Sequence, residues 1–385
     1  MTYLKTPLAG LIAGAALTSV VAVGNAGARE LSFASGATPN SIGSKSIEVF
    51  AEALEERSDG DLSTKAYMQS LLSFMETPPG LRDGMADIGS VLTPYFQTEF
   101  PATIMLTEMT MLLELDDTTA REATFAFGGA ISDYVFNNCP ECLDEYNREN
   151  QVFLGISGST PYTLICNTPV VTMDDIAGKR IRIGGPQWAR WAESMEASPV
   201  SMAVNEVYEG LGQGVLDCTA HNLPDLTNFN FIEVTTDVTM GVPGGIFGGI
   251  ATHMNKDTWS SLSATNREAM LYASAAIAAE LARLYVKEHE ENRQLIEDKE
   301  DITVHEAGDK LKTATREFIE GDIDTIAERY RENHDLERSE EMISEFRDSM
   351  SRWVELVKDV ETGEELRQLY WDEVFSKVDV KEYGL

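Results

Sequence analysis

The segment from Arg180 to Asn222 constrains the fold more than any other stretch. A short β run ends in a cation, Arg182, and Gly184-Gly185-Pro186 turns the chain into a helix carrying Trp188 and Trp191. Asn205 precedes a second helix, which stops at Gly214, and a new strand begins at Val215. Strand, helix and strand in this order need a layered α/β architecture. A cation at the C-terminal end of a strand, beside a turn, points into the crevice where open α/β sheets hold ligands.

The same alternation appears earlier. Residues 30–36 read as a strand, and Ile47, Phe50, Ala51 and Leu54 repeat at helical spacing within Ser44 to Arg57. Leu62 to Met68 reads as a strand, Glu76 to Gly84 as a helix and Met85 to Val91 as a third strand. This β-α-β-α-β order predicts a mainly parallel sheet with helices outside. A second such unit runs from Val152, and Ile246 to Met254 reads as one buried strand. From Asn266 the chain is mostly helical and highly charged, interrupted by a short strand at Ile302 to His305.

The N-terminus has the three parts of a secretory signal peptide: Lys5, an apolar run from Leu8 to Gly24, and an A-x-A site at Ala26-Gly27-Ala28. Residues 1–28 are therefore expected to be removed. A membrane anchor is the competing reading, but Gly10, Gly14 and Thr18-Ser19 interrupt the run, and no later segment offers a long uncharged apolar run. The formal net charge of −34 repels nucleic acid and anionic membranes.

Four cysteines in an exported chain suggest disulfides. Cys139-Pro140-Glu141-Cys142 has thioredoxin-like spacing, but precedes a helix expected near Asp144, so a loop staple is the expected role. Cys166 and Cys218 lie on two strands flanking the Arg182 turn and are expected to pair, although spacing alone does not fix the connectivity.

Several blocks resemble the extracytoplasmic solute receptors of TRAP (tripartite ATP-independent periplasmic) transporters, the DctP-type family. Glu206-Val207-Tyr208 through Gly214-Val215-Leu216-Asp217 is similar to that family's E-V-Y-x-A-L-Q-x-G-V-x-D-G. Arg82-Asp83-Gly84-Met85-Ala86-Asp87-Ile88-Gly89 resembles its R-D-G-x-A-D-I-G block, and Asn255-Lys256-Asp257-Thr258-Trp259 its N-K-x-x-W block. The chain departs from the family at Tyr67-Met68-Gln69-Ser70, at Cys218 and at Tyr162, all near the expected pocket.

The resemblance implies a two-lobed periplasmic-binding-protein-like α/β fold with a long helix spanning both lobes. It places residues 29–157 with about 246–285 in lobe I, and 158–245 with about 286–385 in lobe II. It implies periplasmic location, a small organic acid ligand, and a small-plus-large pair of integral membrane subunits as partners. It leaves open mono- and dicarboxylates, keto acids, aromatic acids, sulfonates and zwitterions such as ectoine.

By the same resemblance Arg182 binds the ligand's carboxylate, which suits the planar donor fork of guanidinium. Arg180 and Arg190 are the competing cations, and alternation puts Arg180 on the same strand face as Arg182. Trp188 is expected to wall the pocket, with Trp191 in the core. His221 and Asn222 end a strand where the family often presents a polar ligand contact. Tyr162, Ser35, Thr38, Gln69, Thr93 and Tyr95 sit on loops or strand ends that should face the same crevice, with Phe247 as an apolar floor. No G-x-S-x-G, H-E-x-x-H or Walker pattern occurs, so no enzyme, cofactor or metal site is expected. A sensor subunit for a receptor kinase is the alternative to transport; an enzyme built on Cys139-Cys142 or His221 is the third class.

Overall fold

Alternating burial of Leu31 and Phe33 places the first strand, β1 (Arg29–Ser35), with one face in a core. The computed structural model describes residues 1–3, 28–115 and 118–385. The expected signal run Leu8–Gly24 and Ala26-Gly27 lie outside the described residues.

Helix α1 (Ile42–Arg57) starts where the Ser41 side chain accepts the Ser44 N–H, leaving one fewer unpaired donor in its first turn. Then come β2 (Leu62–Met68), α2 (Thr77–Arg82), β3 (Ile88–Leu92), α3 (Pro101–Glu108), α4 (Ala120–Asn138), α5 (Pro140–Arg148) and β4 (Gln151–Ser157). The next stretch comprises β5 (Pro161–Cys166), α6 (Met173–Ile176), β6 (Arg180–Ile183), α7 (Pro186–Ser194), β7 (Ser198–Ser201), α8 (Val204–Gly212), β8 (Cys218–His221), α9 (Asp225–Asn228) and β9 (Asp237–Ile246). β10 (Ile250–Asn255) and α10 (Lys256–Ser261) lead into α11 (Ala264–Asp298), followed by β11 (Thr303–Glu306), α12 (Asp309–His334), α13 (Ser339–Leu356) and α14 (Gly363–Glu373).

The strands form a five-stranded sheet, β2-β1-β3-β10-β4, and a six-stranded sheet, β11-β9-β5-β8-β6-β7. Each anchors a lobe with its own apolar core. Five of the nine strand pairings among the described residues are parallel, but the sheets are mixed: β10 runs antiparallel to β3 and β4, and β5 antiparallel to β8 and β9. β10 reaches its sheet from the other lobe, not through a crossover helix, so nothing forces it parallel.

The run expected as one strand, Ile246 to Met254, is two. The chain passes between sheets at Phe247-Gly248-Gly249. A Cβ on Gly249 would lie 2.0 Å from Pro94 Cδ, and one on Gly248 2.4 Å from Phe127 Cζ. Only glycine allows so close an approach.

Helix α11 has 35 residues, hence a length of about 52 Å at the usual rise. Its residues up to Leu284 join the first core and Ile296 joins the second, so it spans both lobes. It does contain an apolar stretch, of mean hydropathy 1.3, that the sequence reading passed over; 72% of it is buried, as in a core helix. Chain order is a poor guide beyond it. Leu311 and Ile319 pack in the second core, but buried residues from Ile326 to Phe375 pack in the first, although 286–385 was expected in lobe II. Amphipathic spacing shows that a helix buries a face, not which sheet covers it.

Both expected disulfides are formed. Cys166 and Cys218 stand opposite each other in the β5–β8 register. Cys139 caps α5 directly, its Sγ accepting the Cys142 N–H, so the second bridge staples a buried helix start rather than a loop.

His253 on β10 is fully buried, with Nδ1 2.7 Å from Gln151 Oε1, and burial pushes its pKa down to about 3. An unfolded histidine binds a proton near pH 6.5 and the folded one does not. Stability is therefore lost as pH falls from about 6.5 towards 3, by about 2 kcal/mol at pH 5 from this residue. In urea titrations His253→Gln should show a shallower acid limb; an unchanged limb would contradict this.

Candidate functional site

β6 and β8 run parallel, with Arg182 opposite Thr219, so Arg182 and His221 come together at the C-terminal ends of the strands. Arg182 is only 1% exposed. Its Nε donates to the Met202 carbonyl at 2.9 Å and its Nη2 to the Tyr95 hydroxyl at 2.8 Å. Nη1 is buried and has no hydrogen-bond partner among the described residues. A guanidinium has five N–H donors, so three remain, two on Nη1 and one on Nη2. They form the edge that a carboxylate bridges.

The Tyr95 hydroxyl comes from the first lobe and also accepts the Val204 N–H at 3.2 Å, filling one of the open donors at the start of α8. Asn205 Nδ2 donates to Gly36 O, Thr38 Oγ1 to Asn228 O, and Ile42 N to Asn228 Oδ1. These bonds join the lobes around the cleft.

The competing arginines are committed elsewhere. Arg180 makes a two-point pair with Asp217, Nε to Oδ2 at 2.9 Å and Nη2 to Oδ1 at 2.7 Å, on the outside. Arg190 lies between Glu108 and Asp322. Alternation gave Arg180 and Arg182 one face; their depth along the strand separates them.

Tyr162, not Trp188, walls the cleft. Trp188 stacks behind it with ring centres 4.2 Å apart and donates its Nε1–H to Gly244 O at 2.9 Å. Phe247 lies nearly parallel to Tyr162, 6.4 Å away, and lines the cleft. Trp191 is buried, its Nε1 bonded to Thr315 Oγ1, as expected of a core residue. Burial holds the Tyr162 hydroxyl well above its ordinary pKa, against the charge of Arg182, so it is neutral.

His221 also lines the cleft. Burial pushes its pKa down, Arg182 adds to this, and Asp225 opposes both. Nδ1 is 2.8 Å from Asp225 Oδ2, and Nε2 is buried with no hydrogen-bond partner among the described residues. Asn222 holds Asp225 in place: its Nδ2 donates to Asp225 Oδ2 at 2.9 Å and its Oδ1 accepts the Asp225 N–H.

Of the other expected residues, Ser35, Tyr95 and Asn222 line the cleft. Gln69 is exposed and turned to Gly36 O. Thr38 serves the lobe contact, and buried Thr93 ties its turn to Gly249 O. None of these three lines the cleft, nor does Trp188. The sequence reading missed Phe74, Ser90, Asp225, Phe229 and Tyr285, which do. Asn222-x-x-Asp225 has the spacing of a local side-chain cap, a signal that could have exposed Asp225. Tyr285 gave none, since it is one polar-tipped residue in a long amphipathic helix.

A Cβ on Gly184 would sit 3.2 Å from both Arg182 Nη1 and the Tyr162 hydroxyl, and 3.3 Å from Phe247. Gly184→Ala should therefore displace the free edge of Arg182 and, if the ligand sits there, lower its affinity at least about fivefold by calorimetry, a modest overpacking cost. Unchanged affinity would place the ligand away from this edge.

The family described as bacterial extracellular solute-binding protein, family 7 (DctP), matches residues 33–330. The chain belongs to this family. As a solute-binding protein it is a transport receptor, not an enzyme. It is 27% identical over 239 residues to a solute-binding protein of Sulfitobacter sp. (strain NAS-14.1), across 61% of this chain and 69% of that one. The C4-dicarboxylate-binding periplasmic protein DctP of Rhodobacter capsulatus is 29% identical over 165 residues, 42% of this chain and 49% of that one. Among solved structures, a TRAP periplasmic solute-binding protein from Bordetella bronchiseptica with bound (R)- and (S)-mandelate shares the fold at a TM-score of 0.70 and 22% identity, covering 84% of this chain and 99% of that one. A marine-metagenome TRAP solute-binding protein specific for aromatic acid ligands gives 0.71 and 20%, with the same coverage.

Proposed function

We propose that this solute-binding protein captures a small organic acid, as its carboxylate, between the lobes and delivers it to the membrane subunits of a TRAP transporter. One observation carries this reading: a buried arginine in the inter-lobe cleft keeps three N–H donors without a hydrogen-bond partner among the described residues. Leaving buried donors unpaired is costly, and a carboxylate on Nη1 and Nη2 satisfies them. The acids of the two solved neighbours, mandelate in one and aromatic acids in the other, support the choice of a carboxylate. Tyr162 and Phe247 flank the ligand, while His221 and Asn222 border it.

Delivery requires export. The signal-like N-terminus and both disulfides support the periplasm as the working compartment. The bonds from Tyr95 to Arg182 and Val204 would form as the lobes close, coupling anion capture to the shape a membrane partner recognises.

Thermal unfolding with a panel of carboxylates and their uncharged amides tests the reading. A bound acid should raise the midpoint with concentration, and its amide should not. Equal stabilisation by acid and amide would overturn the carboxylate assignment.

A further inference from the structure

The cleft is bipolar. Among the described residues that line it, Arg182 is the one cation and Asp225 the one anion. Asp225 is 3% exposed. Its Oδ2 is held by Asn222, but Oδ1 is buried with no hydrogen-bond partner among the described residues. His221 is in electrostatic reach of both charges, its Nδ1 2.8 Å from Asp225 Oδ2, and burial pushes its pKa down, disfavouring a second cation. Tyr285 on α11 lines the same cleft and lies in the field of Asp225.

We infer that the solute is a zwitterion, whose carboxylate takes Arg182 and whose protonated nitrogen donates to Asp225 Oδ1. This rests on the proposed carboxylate capture and narrows it. A simple monocarboxylate would neutralise Arg182 but leave Asp225 Oδ1 buried without a donor, its charge faced only by a His221 whose protonation burial opposes, which is unfavourable. A dicarboxylate would bring a second anion to Asp225. A zwitterion pairs both side chains and leaves the closed cleft neutral. A hydroxyl could satisfy Oδ1 but not its charge.

The experiment is calorimetry and thermal unfolding of the full exported chain against a library that pairs each zwitterion with its nitrogen-free counterpart, such as proline with cyclopentanecarboxylate. Hydroxy acids and dicarboxylates complete the set. Zwitterions should bind at least about tenfold more tightly than their counterparts, and Asp225→Asn should remove that preference. Nitrogen-free acids, hydroxy acids or dicarboxylates binding as well or better would overturn the inference while leaving carboxylate capture standing. So would zwitterion affinity unchanged in a folded Asp225→Asn protein. Should that variant not fold, the wild-type ranking decides alone. Binding of no carboxylate at all would overturn both readings.

Discussion

Replacing Arg182 by alanine is expected to lower affinity for the organic acid at least about thirtyfold, the usual range for truncating one partner of a buried charge pair. Arg182→Lys should lose nearly as much. It keeps the charge, but a single ammonium cannot serve Met202 O, the Tyr95 hydroxyl and a carboxylate in the geometry the guanidinium provides. Arg180→Ala should leave affinity within about twofold, because its two-point pair with Asp217 lies outside the cleft and exposed pairs carry little energy. Calorimetry of the three variants, with unfolding curves as a control, separates these cases. A loss in Arg180→Ala matching that in Arg182→Ala would move the site.

The largest stability effect is expected at Arg190. Its Nη2 lies 2.7 Å from Glu108 Oε2 and 2.6 Å from Asp322 Oδ2, and its Nε donates to Asp322 Oδ1. Glu108 is fully buried and also accepts the Tyr330 O–H. The cluster joins α3, α7 and α12, hence both lobes. Arg190→Ala strands two carboxylates in the interior and should cost about 3–5 kcal/mol in urea unfolding.

The pH dependence follows from Glu108. Burial raises its pKa above the unfolded value even with Arg190 opposing, and removing Arg190 raises it further. A raised folded pKa means the native state keeps the proton, so the variant's deficit should shrink towards the unfolded carboxylate range and grow as pH rises. Adding Glu108→Gln should restore part of the loss at neutral pH. A deficit below about 1 kcal/mol would mean that the cluster is solvated and not a structural pin.

The sequence exposed the strand-end residues well. The strand-end placement of Arg182 and His221 was readable because open α/β sheets present ligands at the C-terminal ends of strands and a Gly-Gly-Pro turn marks one such end, while the choice of Arg182 over Arg180 came from the family resemblance. The helical, charged run from Asn266 and both disulfides were also legible, but the crossing at Phe247-Gly248-Gly249 was read as the interior of one strand. Depth was not. Trp188 and Tyr162 are both aromatic and near the turn, and only the stacking order shows that Tyr162 faces the cleft with Trp188 behind it. Asp225 and Tyr285 escaped because a helix residue facing a cleft and one facing a core share the same spacing. The packing of α13 and α14 against the first lobe escaped for a related reason: periodicity names the buried face and not its neighbour.

The most direct test of anion capture is a crystal structure of the protein with the solute it carries through purification. The account predicts a carboxylate bridging Nη1 and Nη2 of Arg182, with Tyr162 beside it and the Tyr95 bond intact. A solute whose anionic group lies away from Arg182, or one with no anionic group, would contradict it.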